Sequence, residues 1–315
     1  MASAGADDRA GAIRYTFPAM QSASKPRIEV SDQHEILWPG EQTAPIVLAS
    51  PHSGAAYPES FVAASPLDPL DLRRSEDCFV DELWLGAQAL GVPLLRAAFP
   101  RAFVDANREP FELDPEMFED ELPPYVNANS NRVAAGLGTL ARVVASGKEI
   151  YAGKLRFSDA LERIETCYRP YHAALRRLID ATRDRFGYCI LIDCHSMPSV
   201  GAPMDPDAGR GRADFILGDG FGTACEGAVA DTVERALEGH GYRVTRNKPF
   251  AGGYTTRHYG CPAEGVHALQ IEANRALYMD EDAIGRLPAL ADVAGHMTSV
   301  VLALIRLSRV DLAAE

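Results

Sequence analysis

The sequence predicts an α/β fold built on a mostly parallel sheet. Short apolar runs alternate along the chain with longer stretches of helical spacing, which is the pattern of strand–helix–strand units. The clearest strand, Tyr188-Cys-Ile-Leu-Ile-Asp193, is apolar without alternation, as expected where helices cover both faces of a sheet. The dense pattern runs from about residue 34 to about 308 without repeat or linker, so one domain accounts for it.

Taken in order, residues 1–30 are rich in Ala and Ser and read as a mobile or loosely docked arm, leaving 31–315 as the domain. Residues 45–50 form a short strand. Residues 73–90 read as a helix, with Val80, Leu83, Trp84, Ala87 and Leu90 on one face and Gly91 stopping it. Residues 102–105 read as another strand. Residues 110–153, rich in Pro and Gly, read as loops with a short helix. Residues 158–186 form a long amphipathic helix carrying Leu161, Ile164, Tyr168, Leu175, Leu178 and Ile179 at helical spacing. Pro170 should kink or break it. Strands follow at 188–193, 214–217, 242–246 and 267–272, with helices at 224–239 and 281–307.

Composition removes several classes of function. The 315 residues are 47% hydrophobic and 24% charged, which is ordinary globular composition. No apolar run approaches the ~20 residues of a membrane helix. With 31 basic and 44 acidic residues the net charge is −13, against a nucleic-acid partner. The start, with adjacent Asp7 and Asp8, lacks the apolar segment of a signal peptide, so a cytoplasmic location is expected. Six cysteines are scattered without a CxxC pair and read as reduced core residues.

In parallel sheets ligands bind beyond the carboxyl ends of the strands. Four strand ends carry polar groups: Pro51-His52-Ser53-Gly54, Ala106-Asn107-Arg108, Cys194-His195-Ser196 and Glu272-Ala273-Asn274-Arg275. His52 and His195 suit a catalytic zinc, which takes three protein ligands and keeps one position open. A third ligand could come from Ser75-Glu76-Asp77, where both acids would equally suit a helix N-terminus. Glu272 could be a further ligand, an ion-pair partner of Arg275 or a general base. Asn107 and Arg108 offer donors suited to a carboxylate, although Arg108 could equally pair with Asp105 or Glu109. Residues 248–260 read as a flexible substrate-facing flap or a surface loop. Nucleophilic triads are disfavoured: no Gly-x-Ser-x-Gly elbow is present, and Cys194 and His195 would point to opposite faces of a strand.

Six segments in order, Pro51–Gly54, Ser75–Leu83, Val104–Arg108, Asp193–Ser196, Asn247–Tyr254 and Leu269–Arg275, resemble the N-formylglutamate amidohydrolase family over about residues 40–305. More distantly the set is similar to zinc carboxypeptidases and aspartoacylases. The resemblance implies a single-domain phosphorylase/hydrolase-like three-layer sandwich, with helices on both faces of a mixed, mostly parallel sheet. It implies one zinc per chain held by His52, His195 and Asp77, with Glu76 as the alternative acid. The carboxypeptidase-type acid three residues after the first His is absent, because that position is Ala55. The resemblance further implies Glu272 as general base, and Asn107, Arg108, Tyr254 and Arg257 around a small anionic N-acyl amino acid. The implied reaction is hydrolysis of N-formyl-L-glutamate to formate and L-glutamate. The alternatives are a zinc acylase or carboxypeptidase-like hydrolase of another N-acyl group, such as N-formimidoyl, and a non-catalytic binding protein on the same scaffold.

Overall fold

The computed structural model describes residues 25–307 except 203, 204 and 206. The arm expected over residues 1–30 therefore lies outside the described residues up to residue 24.

Eight strands form one sheet: β1 (Arg27–Val30), β2 (His34–Trp38), β3 (Ile46–Ser50), β4 (Leu94–Ala97), β5 (Cys189–Met197), β6 (Phe215–Gly218), β7 (Val244–Arg246) and β8 (Val266–Asn274). Their order is β1-β2-β4-β3-β5-β8-β6-β7. The central four, β4-β3-β5-β8, are parallel; β2 and β6 run against them, and β7 runs with β6. The sheet is thus mixed and mostly parallel, as expected. Arg27–Val30, assigned to the arm by its composition, is instead the edge strand paired with β2.

Two apolar cores flank the sheet, one per face. On the first, Ile46, Leu48, Ile190, Ile192 and Ile271 pack beneath α3 (Val80–Leu83), α7 (Gly227–Gly239) and α9 (Leu290–Ile305). On the second, Val47, Ala49, Leu191 and Ala268 pack against α5 (Phe157–Arg163) and α6 (Arg169–Phe186). α6 buries Tyr171, Ala174, Leu175, Leu178, Ile179 and Thr182, the spacing of one helical stripe. Short helices α1 (Glu59–Ala64), α2 (Pro69–Leu72), α4 (Asn131–Ala134) and α8 (Tyr254–Tyr259) lie in the connections.

Four elements differ from the sequence expectation. The helix expected over 73–90 is broken: residues 73–75 form one turn, Glu76 is extended and Phe79 is left-handed at φ 64°. The chain leaves helical geometry there because the Asp77 amide donates to the His52 carbonyl (3.0 Å), docking the acidic pair beside the strand end. Residues 102–105 are a turn rather than a strand, and the strand on that side is β4. Pro170 does not break the long helix. It sits at the start of α6, where its missing N–H costs little, directly after a π-helical segment at Ile164–Tyr168. The closing helix spans 290–305 rather than 281–307, because residues 279–286 form a small two-stranded ribbon.

Candidate active site

The alternation along β5 explains how a buried strand delivers polar groups. Cys189 and Leu191 face the α6 side of the sheet. Two and four residues on, Asp193 and His195 share that face. On β8, Gln270 and Glu272 stand opposite Asp193 and His195, so four polar side chains line one face at the carboxyl end of two neighbouring strands. His52 arrives from the turn after β3. Gly54 allows that turn to lie against residues 98–99, because a Cβ there would sit 2.2 Å from the Phe99 carbonyl oxygen.

His52, Asp77 and His195 converge, all buried, with one ligand atom of each lying within 4.8 Å of the others. Asp77 Oδ2 is 3.0 Å from His195 Nδ1 and 3.4 Å from His52 Nδ1. His52 Nδ1 is a buried nitrogen without a hydrogen bond, which calls for an explanation in a native structure. The far nitrogen of each ring is held by protein. His52 Nε2 donates to Asp105 Oδ1 at 2.7 Å. His195 Nε2 lies 2.9 Å from Asp193 Oδ1 and 3.0 Å from Asn107 Nδ2. The Asp193 contact is close but poorly aligned for a hydrogen bond. Carboxylates behind both imidazoles are the usual second layer of a metal site. Two imidazole nitrogens and a carboxylate oxygen also match a three-ligand catalytic zinc set. The residues therefore fit a divalent metal.

The electrostatics agree. Burial works against an ionised Asp77, but the hydrogen bond with His195 and the close approach of His52 outweigh it and hold the carboxyl well below its usual range. Burial opposes a charged His195, yet Asp193 and Asp77 raise its pKa well above the ordinary value. Three buried carboxylates around two imidazoles make a cluster that favours a cation. Arg275 caps the other Asp77 oxygen at 3.0 Å and donates to Ser196 Oγ at 3.1 Å. It pairs with Asp77, then, and not with Glu272.

Of the two acids at 76–77, geometry selects Asp77 for the cluster. Glu76 is turned away: Arg73 Nε and Nη2 donate to it at 3.0–3.1 Å, and the Tyr57 hydroxyl donates at 2.6 Å. Glu272 lies outside the three-residue cluster but in its field. Burial, reinforced by the charge of Asp77, lifts its pKa to about 7, against the pull of His195 and Arg101. Gln270 Nε2 donates to its Oε1 at 2.8 Å.

The remaining expected residues divide. Asn107 is in the site, buried, facing His195 while its Oδ1 accepts from the Thr255 amide at 2.7 Å. Arg108 is turned into protein: Nε donates to the Leu137 carbonyl (2.8 Å), Nη1 to the Asn107 carbonyl (2.8 Å), and Nη2 lies 3.6 Å from Asp105. Tyr254 is half-buried, stacked on His258 with ring centroids 4.7 Å apart, and Arg257 is exposed. Residues 252–256 are not a loose flap. Gly253 N donates to Gln270 Oε1 at 2.7 Å and Thr256 Oγ1 to Asp193 at 3.4 Å. A Cβ at Gly253 would lie 2.3 Å from Asn107 Nδ2, so glycine is what lets this backbone reach the site.

Sequence reasoning passed over Asp105 as a site residue, along with Gln270 and Arg101. Asp105 was legible as the residue two before Asn107. Its role depends on a turn in which its side chain accepts from the Asn107 amide at 2.8 Å and from Arg101 at 3.0 Å. All six cysteines are free, as expected, and no helix among the described residues is long and apolar enough to cross a membrane.

Comparison with known proteins follows the same line. The sequence profile of the family described as N-formylglutamate amidohydrolase matches residues 44–279. The chain is 30% identical over 241 residues to an N-formylglutamate deformylase of Pseudomonas putida, covering 75% of this chain and 82% of that protein. It is 29% identical over 243 residues to one from Pseudomonas aeruginosa, covering 76% and 84%. A crystal structure of N-formylglutamate amidohydrolase from Ralstonia eutropha superimposes with a TM-score of 0.79 at 36% identity, over 86% of this chain and 96% of that one. A gene product of Agrobacterium tumefaciens shares the fold at a TM-score of 0.59 and 18% identity, over 87% of this chain and 95% of that one.

Proposed function

The chain belongs to the N-formylglutamate amidohydrolase family, and from that premise we propose that it is a metal-dependent deformylase, hydrolysing N-formyl-L-glutamate to formate and L-glutamate. The observation that supports it most is the convergence of His52, Asp77 and His195 beside Glu272, which stands opposite His195 on the neighbouring strand. In this reading the eight-stranded sheet, from Arg27 onward, and its helices act as one catalytic domain, and the protein works in the cytoplasm.

His52, His195 and Asp77 would hold one divalent ion, taken to be zinc. When bound, it would supply Lewis acidity, polarising the formyl carbonyl and making a nearby water a stronger acid. Asp105 and Asp193 fix the ring orientations of the two histidines, and Arg275 holds Asp77 in place. Glu272 takes the proton from the attacking water as oxygen adds to the formyl carbon. It returns that proton to the amide nitrogen as the C–N bond breaks. A pKa near the working pH suits a group that must both accept and release a proton. Asn107 orients His195 and accepts from the Thr255 amide in the first turn of α8, and Tyr254 and Arg257 of that helix would meet the substrate.

The test is the metal content of the purified protein, followed by formate release from N-formyl-L-glutamate with and without chelator. About one zinc per chain and chelator-sensitive release are expected. Metal without release from this substrate, but with release from N-formimidoyl or other N-acyl amino acids, would replace the substrate and keep the chemistry. Full activity in metal-free protein would overturn the proposal.

A further inference from the structure

One side chain joins the backbone of residues 251–253 to Glu272. Gln270 stands two residues before Glu272 on β8, on the same face of the sheet, and is buried. Its Oε1 accepts from the Gly253 amide at 2.7 Å, and its Nε2 donates to Glu272 Oε1 at 2.8 Å. Chemistry fixes which way round this amide lies. A backbone N–H only donates, so it must meet the oxygen end. The NH2 end, which also only donates, is left for the carboxylate. Among the described residues the hydrogen bond to the Glu272 carboxylate ends on Oε1, so Oε2 is the oxygen left to carry a proton.

The backbone that holds Gln270 is pressed onto the sheet. Gly218 on β6 and Asp193 on β5 flank Gln270 in register. A Cβ at Gly218 would lie 2.4 Å from the Gly252 nitrogen and 2.8 Å from the Ala251 carbonyl carbon. The Gly220 amide donates to the Ala251 carbonyl at 2.8 Å on one side of Gly253. On the other side the Thr255 amide donates to Asn107 at 2.7 Å. The N–H that anchors Gln270 is thus fixed from both directions. The terminal torsion of a glutamate is broad and soft, so packing alone does not decide which oxygen meets the reacting proton. A donor held on Oε1 does.

We propose that Gln270 is a positioning residue for Glu272. Hung from the Gly253 amide, it holds Oε1 and reserves Oε2 for the proton that Glu272 takes from water and returns to the leaving nitrogen. The backbone of residues 251–253 thereby sets the base. The inference rests on the deformylase reading for its reaction, while the relay from Gly253 through Gln270 to Glu272 is independent of it.

The experiment compares the protein as purified with its metal with Gln270→Met, Gly218→Ala and the two combined. Methionine fills a similar space and makes no such bonds. Gln270→Met should keep its metal, lower kcat for N-formyl-L-glutamate by about 10–100-fold and leave KM within about twofold. Gly218→Ala displaces the backbone beside Gly253 and should lower kcat as well. It should add little to the loss in Gln270→Met, because both act through the same carboxylate. Near wild-type kcat in Gln270→Met, a loss confined to KM, or losses that multiply in the double variant would overturn the proposal. The second readout is the side-chain amide NMR signal of Gln270, identified by its absence in Gln270→Met. It should shift in Gly218→Ala and in Glu272→Gln. A signal unmoved in Glu272→Gln would overturn the proposal even where Gly218→Ala does not fold. Shifted signals in a protein that cleaves no N-formyl amino acid would uphold the relay and reject the deformylase reading, and unmoved signals in an active deformylase would do the reverse.

Discussion

Lowering the pH should unlatch the floor of the site through His172. This side chain bridges α6 to the turn that carries Asp105 and Asn107. Its Nε2 is 2.8 Å from the Ala106 carbonyl, and its Nδ1 is 2.8 Å from the Tyr259 hydroxyl on α8. A carbonyl only accepts, so Nε2 carries the proton and Nδ1 accepts from tyrosine. The ring is therefore neutral, and burial depresses its pKa from 6.5 to about 4, outweighing the backbone hydrogen bond. The folded chain binds fewer protons than the unfolded chain between those values. The stabilisation is complete above about pH 6.5 and is lost as the pH falls toward 4. At about 1.4 kcal/mol per pH unit the whole span is worth about 3 kcal/mol, of which about 2 kcal/mol has gone by pH 5. Urea unfolding of the wild type and His172→Gln at pH 7.5 and pH 5 measures it. The variant does not titrate at this position, so the wild type should lose about 2 kcal/mol more than the variant between the two pH values. Parallel losses in the two proteins would refute the reasoning.

Glu272→Gln should bind metal as the wild type does and lose at least ~100-fold in turnover, measured by formate release beside metal analysis; near wild-type turnover would remove Glu272 from proton transfer. Asp77→Asn should lose stoichiometric metal, whereas Glu76→Gln should retain it and cost about 1–3 kcal/mol of stability through weakened bonds from Arg73 and Tyr57; the reverse result would exchange their assignments. Asp105→Asn should weaken metal affinity by about 10–100-fold in a chelator competition, because His52 loses the carboxylate that orients it. Gly253→Ala pushes its new methyl into Asn107. It should lower turnover by about 100-fold without unfolding the protein, since small misplacements of a positioning group cost that much; wild-type kinetics would show that Asn107 is not needed where it stands.

The fold was legible where burial writes itself into the sequence. β5 and β8 are buried at every position, and their apolar starts announce them. Their polar ends looked like loops, but both strands continue through His195 and Glu272 to residues 197 and 274. A sheet whose edge is the active site must bury polar residues in regular strand, and no apolar pattern marks that. The N-terminal strand β1 was missed for the opposite reason: it is an exposed edge with no buried residue. The helix expected over 73–90 failed at Glu76–Phe79 because a tertiary bond from Asp77 to His52 overrode local propensity.

His52 follows two residues after β3, and residue type and strand position were enough to nominate His195 and Glu272, because a strand fixes where a side chain points. Turns do not. Asn107 and Arg108 are neighbours in sequence, and a donor fork for a carboxylate was expected from both. In the turn Asn107 faces His195, while Arg108 faces the Leu137 carbonyl, where burial makes it a brace. Adjacency to a recognised motif is therefore a weaker guide to what a side chain faces than its place in a regular strand, where the neighbour two residues away shares its face.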